Sequence, residues 1–140
     1  MAGETDLGRL LAGMRPVLRP GTFVFATIAA GERAPEGVDP LMSFRESEGL
    51  TLILTTEEAS RTGLAASFHS RLITLEVHSA LDAVGFLAAV TKRLAARGIG
   101  VNPVAAFHHD HLFVPAERAE EALEALKALA EDSADALAVK

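Results

Sequence analysis

The chain contains no cysteine, tryptophan or tyrosine, and apart from five histidines its aromatic residues are seven phenylalanines. Without cysteine there is no disulfide framework, no thiolate nucleophile and no zinc or iron–sulfur site built on sulfur. A metal site made of histidines and carboxylates remains open. Because aromatic rings are so few, stacking platforms for bases or sugars are scarce as well.

Positive charge is also in deficit, since 13 Lys and Arg residues face 19 Asp and Glu residues and the formal net charge is −6. Such a field repels polyanions, so we expect no nucleic-acid partner. No stretch approaches the roughly 18 apolar residues of a membrane span. The opening MAGETDLGRL carries acids where a secretory signal would carry lysines. We therefore expect no membrane partner and a cytoplasmic location.

Apolar residues make up 49% of the 140 residues, which suffices for one compact unit or two small fused ones. In the first half, helical spacing, β-rich runs and turn residues alternate. Capping residues and acidic residues begin the second of the two helices, and Gly63 ends it. The expected elements are a helix over 6–14, strands over 22–28, 41–45 and 50–55, an exposed loop over 29–40, and a helix over 56–63.

The second half also combines helices with a pair of adjacent strands, but it begins with a strand. Strand 71–77 has the most regular alternation of apolar and polar residues. Strand 99–107 contains Pro103, which belongs at a sheet edge because it donates no ladder hydrogen bond. A helix is expected from about Ala80 to Gly98, a strand over 111–114 and a helix from Pro115. In the first of these helices the expected core stripe is Val84, Leu87, Ala88, Thr91 and Leu94, with Phe86 and Val90 forming a second flank that faces an interface.

Strands alternate with helices, and each half contains two adjacent strands. This pattern predicts an α+β fold of two fused ferredoxin-like βαββαβ units, with antiparallel sheets and helices on one face. We place an N-terminal unit at 1–68 and a C-terminal unit at 69–140. The first unit lacks a strand and so does the second. We expect strand 71–77 to be central and shared between them, and segment 132–140 to form a weak edge strand or a disordered tail.

The run from Arg71 to Val114 resembles an ACT domain, through Gly85 near the start of a helix, the ending Leu94…Gly98-Ile99 and the apolar hairpin that follows. In the first half, FVFATI and GLTLILTTEEA resemble the degenerate leading unit of small tandem-ACT proteins of the aspartate-kinase-like type. The resemblance implies a non-catalytic regulatory protein that binds an amino acid or a similar small ligand between two such units, without a cofactor, as a homodimer or a tandem monomer.

The backbone supplies a physical basis for this ligand site. A helix that begins near Ala80 leaves free N–H groups at 81–85, which hold a carboxylate without any Lys or Arg. Ser79 and Asp82 form a capping pair, and Gly85 lets a ligand approach closely. Asp110 or Asn102 would receive the ammonium group. The full set of expected ligand-binding residues is Ser79, Leu81, Asp82, Val84, Gly85, Phe86, Asn102 and Asp110.

The most conspicuous polar cluster is His108-His109-Asp110-His111. In an extended strand His109 and His111 share one face while His108 and Asp110 share the other, so a three-ligand metal site would need a turn or a second chain. Three interpretations stay open. The cluster is a solvated turn, or Asp110 is a ligand contact, or the cluster is the metal centre of a small metal-dependent enzyme. A further alternative for the whole chain is a structural module that docks a partner.

Overall fold

The computed structural model describes residues 3–139, which form one antiparallel sheet covered by helices. No helix in this range is long and apolar enough to cross a membrane. In chain order the elements are α1 (Leu7–Gly13), β1 (Arg15–Leu18), β2 (Phe23–Ala29), β3 (Met42–Glu46), β4 (Gly49–Thr55), α2 (Thr56–Thr62), β5 (Ala66–Glu76), α3 (Phe86–Ala96), β6 (Asn102–Ala105), β7 (Asp110–Pro115), a 3-10 turn (Ala116–Arg118) and α4 (Ala119–Ala138).

Local capping signals fix both short helices of the first half. The Asp6 side chain accepts a hydrogen bond from the Arg9 N–H and begins α1. A reciprocal capping box between Thr55 and Glu58 begins α2, and Gly63 in the left-handed conformation ends it. The helices expected at 6–14 and 56–63 are thereby confirmed.

The sheet has the strand order β3-β4-β2-β5-β7-β6, and β1 also pairs with β5. All of these pairs are antiparallel, and the ferredoxin-like, two-unit fold is confirmed. Strand β6 lies at one edge and carries Pro103, as expected, although it spans only 102–105. Segment 30–41 contains no helix and stands where the second half has α3.

Strand β5 joins the two halves. Its first part pairs with β2, its second part pairs with β1 along the same edge, and its other edge pairs with β7 over 70–75. The expected central position of segment 71–77 is confirmed. The division at residues 68 and 69 stays a prediction.

A β-bulge lets β5 serve both halves. Phe23 pairs with Ser70 and Phe25 pairs with Ser67, so β5 has one residue more than β2 in this interval. The extra residue of β5 is accommodated near Phe68. Among the non-glycine residues of 3–139, Phe68 is the one with a positive φ, which is 60°. The Phe68 ring packs edge-to-face on Phe25, with the ring centroids 5.9 Å apart.

The N-terminal segment completes the core of the second half. Strand β1 occupies the edge of β5 beyond β2, and α1 packs against α4. Leu10, Leu11 and Met14 are buried in one cluster with residues of α3, α4, β5 and β7. The missing fourth strand of the second half is therefore β1. The edge strand or disordered tail expected at 132–140 is wrong for residues 132–138, because α4 continues to Ala138. Lys140 lies outside the described range.

Helix α3 begins at Phe86 rather than near Ala80, because Gly85 adopts a left-handed conformation at the N-cap. Its buried residues are Phe86, Val90 and Leu94. The core stripe expected for this helix was wrong for two residues. Val84 is 83% exposed, and Ala88 is also exposed. Phe86 and Val90 thus belong to the main core face and are buried within this chain.

The face of the sheet that carries no helix has a small apolar cluster of its own. Phe23 and Ile53 from the first half meet Leu72 and Phe113 from the second. The Phe113 ring is edge-to-face with both Phe23 and Phe25, with centroid separations of 5.8 and 5.6 Å. This cluster holds the two halves together on the side opposite to the helices.

We expect Ser70→Ala to lower the free energy of unfolding by about 1 kcal/mol in urea denaturation. Ser70 is fully buried where β5 changes partner, and its hydroxyl donates to the Phe23 carbonyl oxygen at 3.0 Å. The control is Ser67→Ala on the exposed part of the same strand, which should cost less than about 0.5 kcal/mol. Equal costs for the two variants would contradict this account of the junction.

Leu10→Ala should lower the free energy of unfolding by about 2–5 kcal/mol, because it opens a cavity between α1 and the core of the second half. Leu10 is 0% exposed, whereas Leu7 on the same helix is 38% exposed. Leu7→Ala is the matched control and should cost less than about 1 kcal/mol. A small loss for Leu10→Ala in the same denaturation assay would show that the N-terminal segment is not part of this core.

Candidate functional site

A cleft of about 160 Å³ lies on the helix side of the sheet, between the start of α3 and the start of β7. One wall is the segment before α3 together with its first turn, and the other is the β6–β7 hairpin. The lining residues are Ser79, Ala80, Leu81, Ala83, Gly85, Phe86, Leu87, Ala88, Ala105, Ala106 and Asp110.

The first turn of α3 supplies hydrogen-bond donors to this cleft. The Ala89 N–H donates to the Gly85 carbonyl oxygen at 3.0 Å, which is the first bond of the helix. The N–H groups of residues 86–88 precede it and have no partner within the helix. No side chain caps this N-terminus. The donors therefore lie at 86–88 rather than at the expected 81–85, where the Ala83 N–H is bonded to the Ala80 carbonyl oxygen.

Asp110 faces these donors from the first position of β7. It is only 9% exposed and shares its face of the strand with Leu112 and Val114, which belong to the helix-side core. Burial raises the pKa of the Asp110 carboxyl, and the neighbouring His109 partly opposes that shift. A raised pKa in the folded state means that the ionised carboxylate costs folding free energy at neutral pH, a property common at functional positions.

The structure brings together Ser79, Leu81, Gly85, Phe86 and Asp110 of the expected ligand residues. The other three lie outside the cleft. Asp82 lines a separate recess beside Phe107, and Val84 is exposed to solvent. Asn102 pairs with Phe113 and lies three residues along β6 from Ala105, the partner of Asp110. The sequence analysis missed Leu87, Ala88, Ala105 and Ala106. Gly85 as a helix start was the signal for Leu87 and Ala88, whereas the pairing that places Ala105 beside Asp110 is visible only in the structure.

Alternation along β7 divides the histidine cluster. His111 lies on the helix-free face, where its Nδ1 is 3.0 Å from the Thr74 hydroxyl oxygen. Burial, His109 and Arg19 all lower the pKa of His111. Within residues 3–139, no three His, Asp or Glu residues are grouped so that they could hold a metal ion.

Comparison with known families gives two consecutive matches. One family model described as ACT domain matches residues 2–71, and a second with the same description matches residues 67–128. No curated protein sequence matches the chain.

Solved structures with the same fold include a protein of unknown function from Vibrio cholerae, described as a possible transport protein. It is 44% identical, with a TM-score of 0.80 over 89% of this chain and 95% of that one. A protein from Agrobacterium tumefaciens is 20% identical, with a TM-score of 0.72 over 84% of this chain and 89% of that one.

The ligand-free regulatory subunit of aspartate kinase from Thermus thermophilus has a TM-score of 0.61 at 12% identity, over 82% of this chain and 97% of that one. At this identity the likeness concerns the fold. The two family matches and the 44% identical structure decide the assignment: the chain belongs to the ACT domain family and carries two ACT domains in tandem.

Proposed function

We propose that this protein is a non-catalytic regulatory protein that binds a free amino acid in the cleft between α3 and Asp110. Membership of the ACT family and the regulatory neighbours support a small-molecule-binding, regulatory role in general terms. The observation that carries the amino-acid proposal is the pairing, within one small cleft, of unused helix N–H donors with a buried carboxylate.

An α-amino acid matches this pairing because it carries an anion and a cation two bonds apart. Its carboxylate accepts from the N–H groups of residues 86–88 at the positive end of the α3 dipole. Its ammonium group donates to Asp110 in a charge-assisted bond, which offsets the cost of burying that carboxylate. The small volume and the alanines of both walls favour an amino acid with a compact side chain.

The rim of the cleft supports a homodimer. Leu81, Val84 and Phe107 are 72%, 83% and 68% exposed, and all three lie on the loop and hairpin that border the cleft. Exposed apolar side chains next to a ligand site are typical of a surface that another subunit covers. A second copy placed here would bury these side chains and close the cleft over the ligand.

Calorimetric titration with the twenty amino acids tests the site. We expect at least one to bind, and Asp110→Asn to weaken it by about tenfold or more because a charge-assisted bond is lost. Asp82→Asn is the matched control, since it removes a carboxylate from the same neighbourhood but outside the cleft, and should leave affinity unchanged. An affinity insensitive to Asp110→Asn places the ligand elsewhere.

Affinity should also depend on pH with a defined sign. Asp110 must be ionised to receive the ammonium group, and burial raises its pKa. As pH falls through that pKa the carboxylate is neutralised and binding weakens, beginning at a higher pH than the ordinary aspartate value of about 3.9 would give. Repeated titrations of one bound amino acid between neutral and acidic pH measure this, and Asp110→Asn should flatten the profile. A wild-type profile as flat as that of the variant would contradict the role of Asp110.

A further inference from the structure

A second concave region lies on the opposite, helix-free face of the sheet. This groove has a volume of about 490 Å³, within the range of small-molecule sites. We call it the open-face groove, and it is lined by Arg19, Leu41, Met42, Leu72, Thr74, Glu76, Val104, Ala106, His109, His111 and Phe113. The amino-acid cleft opens on the other face and shares Ala106 of the hairpin with this lining, so the two regions could be occupied independently.

The floor of the open-face groove is apolar. Leu72 and Phe113 are buried members of the cluster that joins the two halves, and Met42 and Val104 pack against it. Leu41 is 54% exposed at the lip. A hydrocarbon or aromatic group placed on this floor would remove apolar surface from water on both partners.

Arg19 brings a cation to this groove. Its backbone is held at both ends, because its N–H donates to the Leu72 carbonyl oxygen at 2.8 Å and its own carbonyl oxygen accepts from the Arg71 guanidinium at 3.1 Å. The Arg19 side chain makes no ion pair with any residue in the range 3–139. Glu76, the carboxylate in the lining, is paired with Arg15 instead. The charge of Arg19 is therefore free to meet an anion.

His111 and Thr74 add neutral polar groups next to this cation. Their hydrogen bond uses the Nδ1 atom of His111, so Nε2 is the ring nitrogen that remains for a ligand. Burial, His109 and the positive charge of Arg19 all lower the pKa of His111 and so favour its neutral form. An anion bound beside Arg19 would offset the effect of the Arg19 charge on the pKa of His111. The NMR signals of the His111 ring should therefore change when an anion binds.

We propose that the open-face groove binds a small amphipathic organic acid, with its carboxylate on Arg19 and its apolar body on Leu72 and Phe113. The free cation selects the anionic end and the apolar floor selects the body. This site is separate from the amino-acid cleft, and neither site requires the other.

Histidine side-chain NMR of the full chain tests the proposal, with phenylbutyrate as the probe and phenylbutyramide as its neutral analogue. Phenylbutyrate should shift the His111 signals saturably at millimolar concentration, and the amide should bind about tenfold more weakly. The Arg19→Gln variant should bind phenylbutyrate more weakly than the wild type by a similar factor. Arg9→Gln, on the exposed surface of α1, is the matched control and should change its affinity less than twofold.

Two further variants separate this site from the alternatives. Val104→Trp, at the half-buried edge of the groove, should abolish the shifts without changing the mass in sedimentation. Ala88→Leu, which fills the amino-acid cleft, should leave them intact. The proposal is overturned if no saturable shift occurs, if acid and amide bind equally, or if Arg19→Gln behaves like Arg9→Gln. It is also overturned if Val104→Trp dissociates a dimer, since the groove would then be an interface between two copies.

Discussion

The structure depends on one strand that has to satisfy two halves at once. Along one edge, β5 pairs first with β2 and then with β1, while its other edge pairs with β7. A single bulge near Phe68 makes this exchange of partners compatible with an unbroken ladder. Two four-stranded arrangements are thereby fused into one sheet, and their helices share one side of it.

The same strand separates the two candidate sites. Side chains of β5 alternate between the faces, so Ile73 and Leu75 enter the helix-side core while Leu72 and Thr74 enter the open-face groove. Strand β7 repeats this division, with Asp110 on the cleft side and His111 on the groove side. Residues adjacent in sequence therefore lie in different chemical environments. The cleft has a carboxylate close to helix N–H donors, and the open-face groove is apolar with the unpaired cation of Arg19.

Local signals were sufficient for most elements, because their causes lie within a few residues. The capping box of Thr55 and Glu58, the left-handed Gly63 and the alternation in 71–77 each act at short range. Strand β1 gave no such signal, since its four residues include Pro16. It forms a strand because β2 leaves this part of the β5 edge unpaired. Pro16 pairs there with Leu75, and its missing N–H is tolerated because no further strand pairs with the outer side of β1.

The sequence by itself determined most strands and helices, though not β1, because their periodicity is local. Residue chemistry made Gly85 and Asp110 candidates for the site, and the resemblance to the ACT family came from the ordered residues of 71–114. Only the tertiary structure decided where α3 begins and which donors face Asp110, since both depend on how the preceding loop folds against the hairpin. The open-face groove is likewise tertiary. It requires Arg19, Thr74 and His111, far apart in the chain, to meet on one face of a shared sheet.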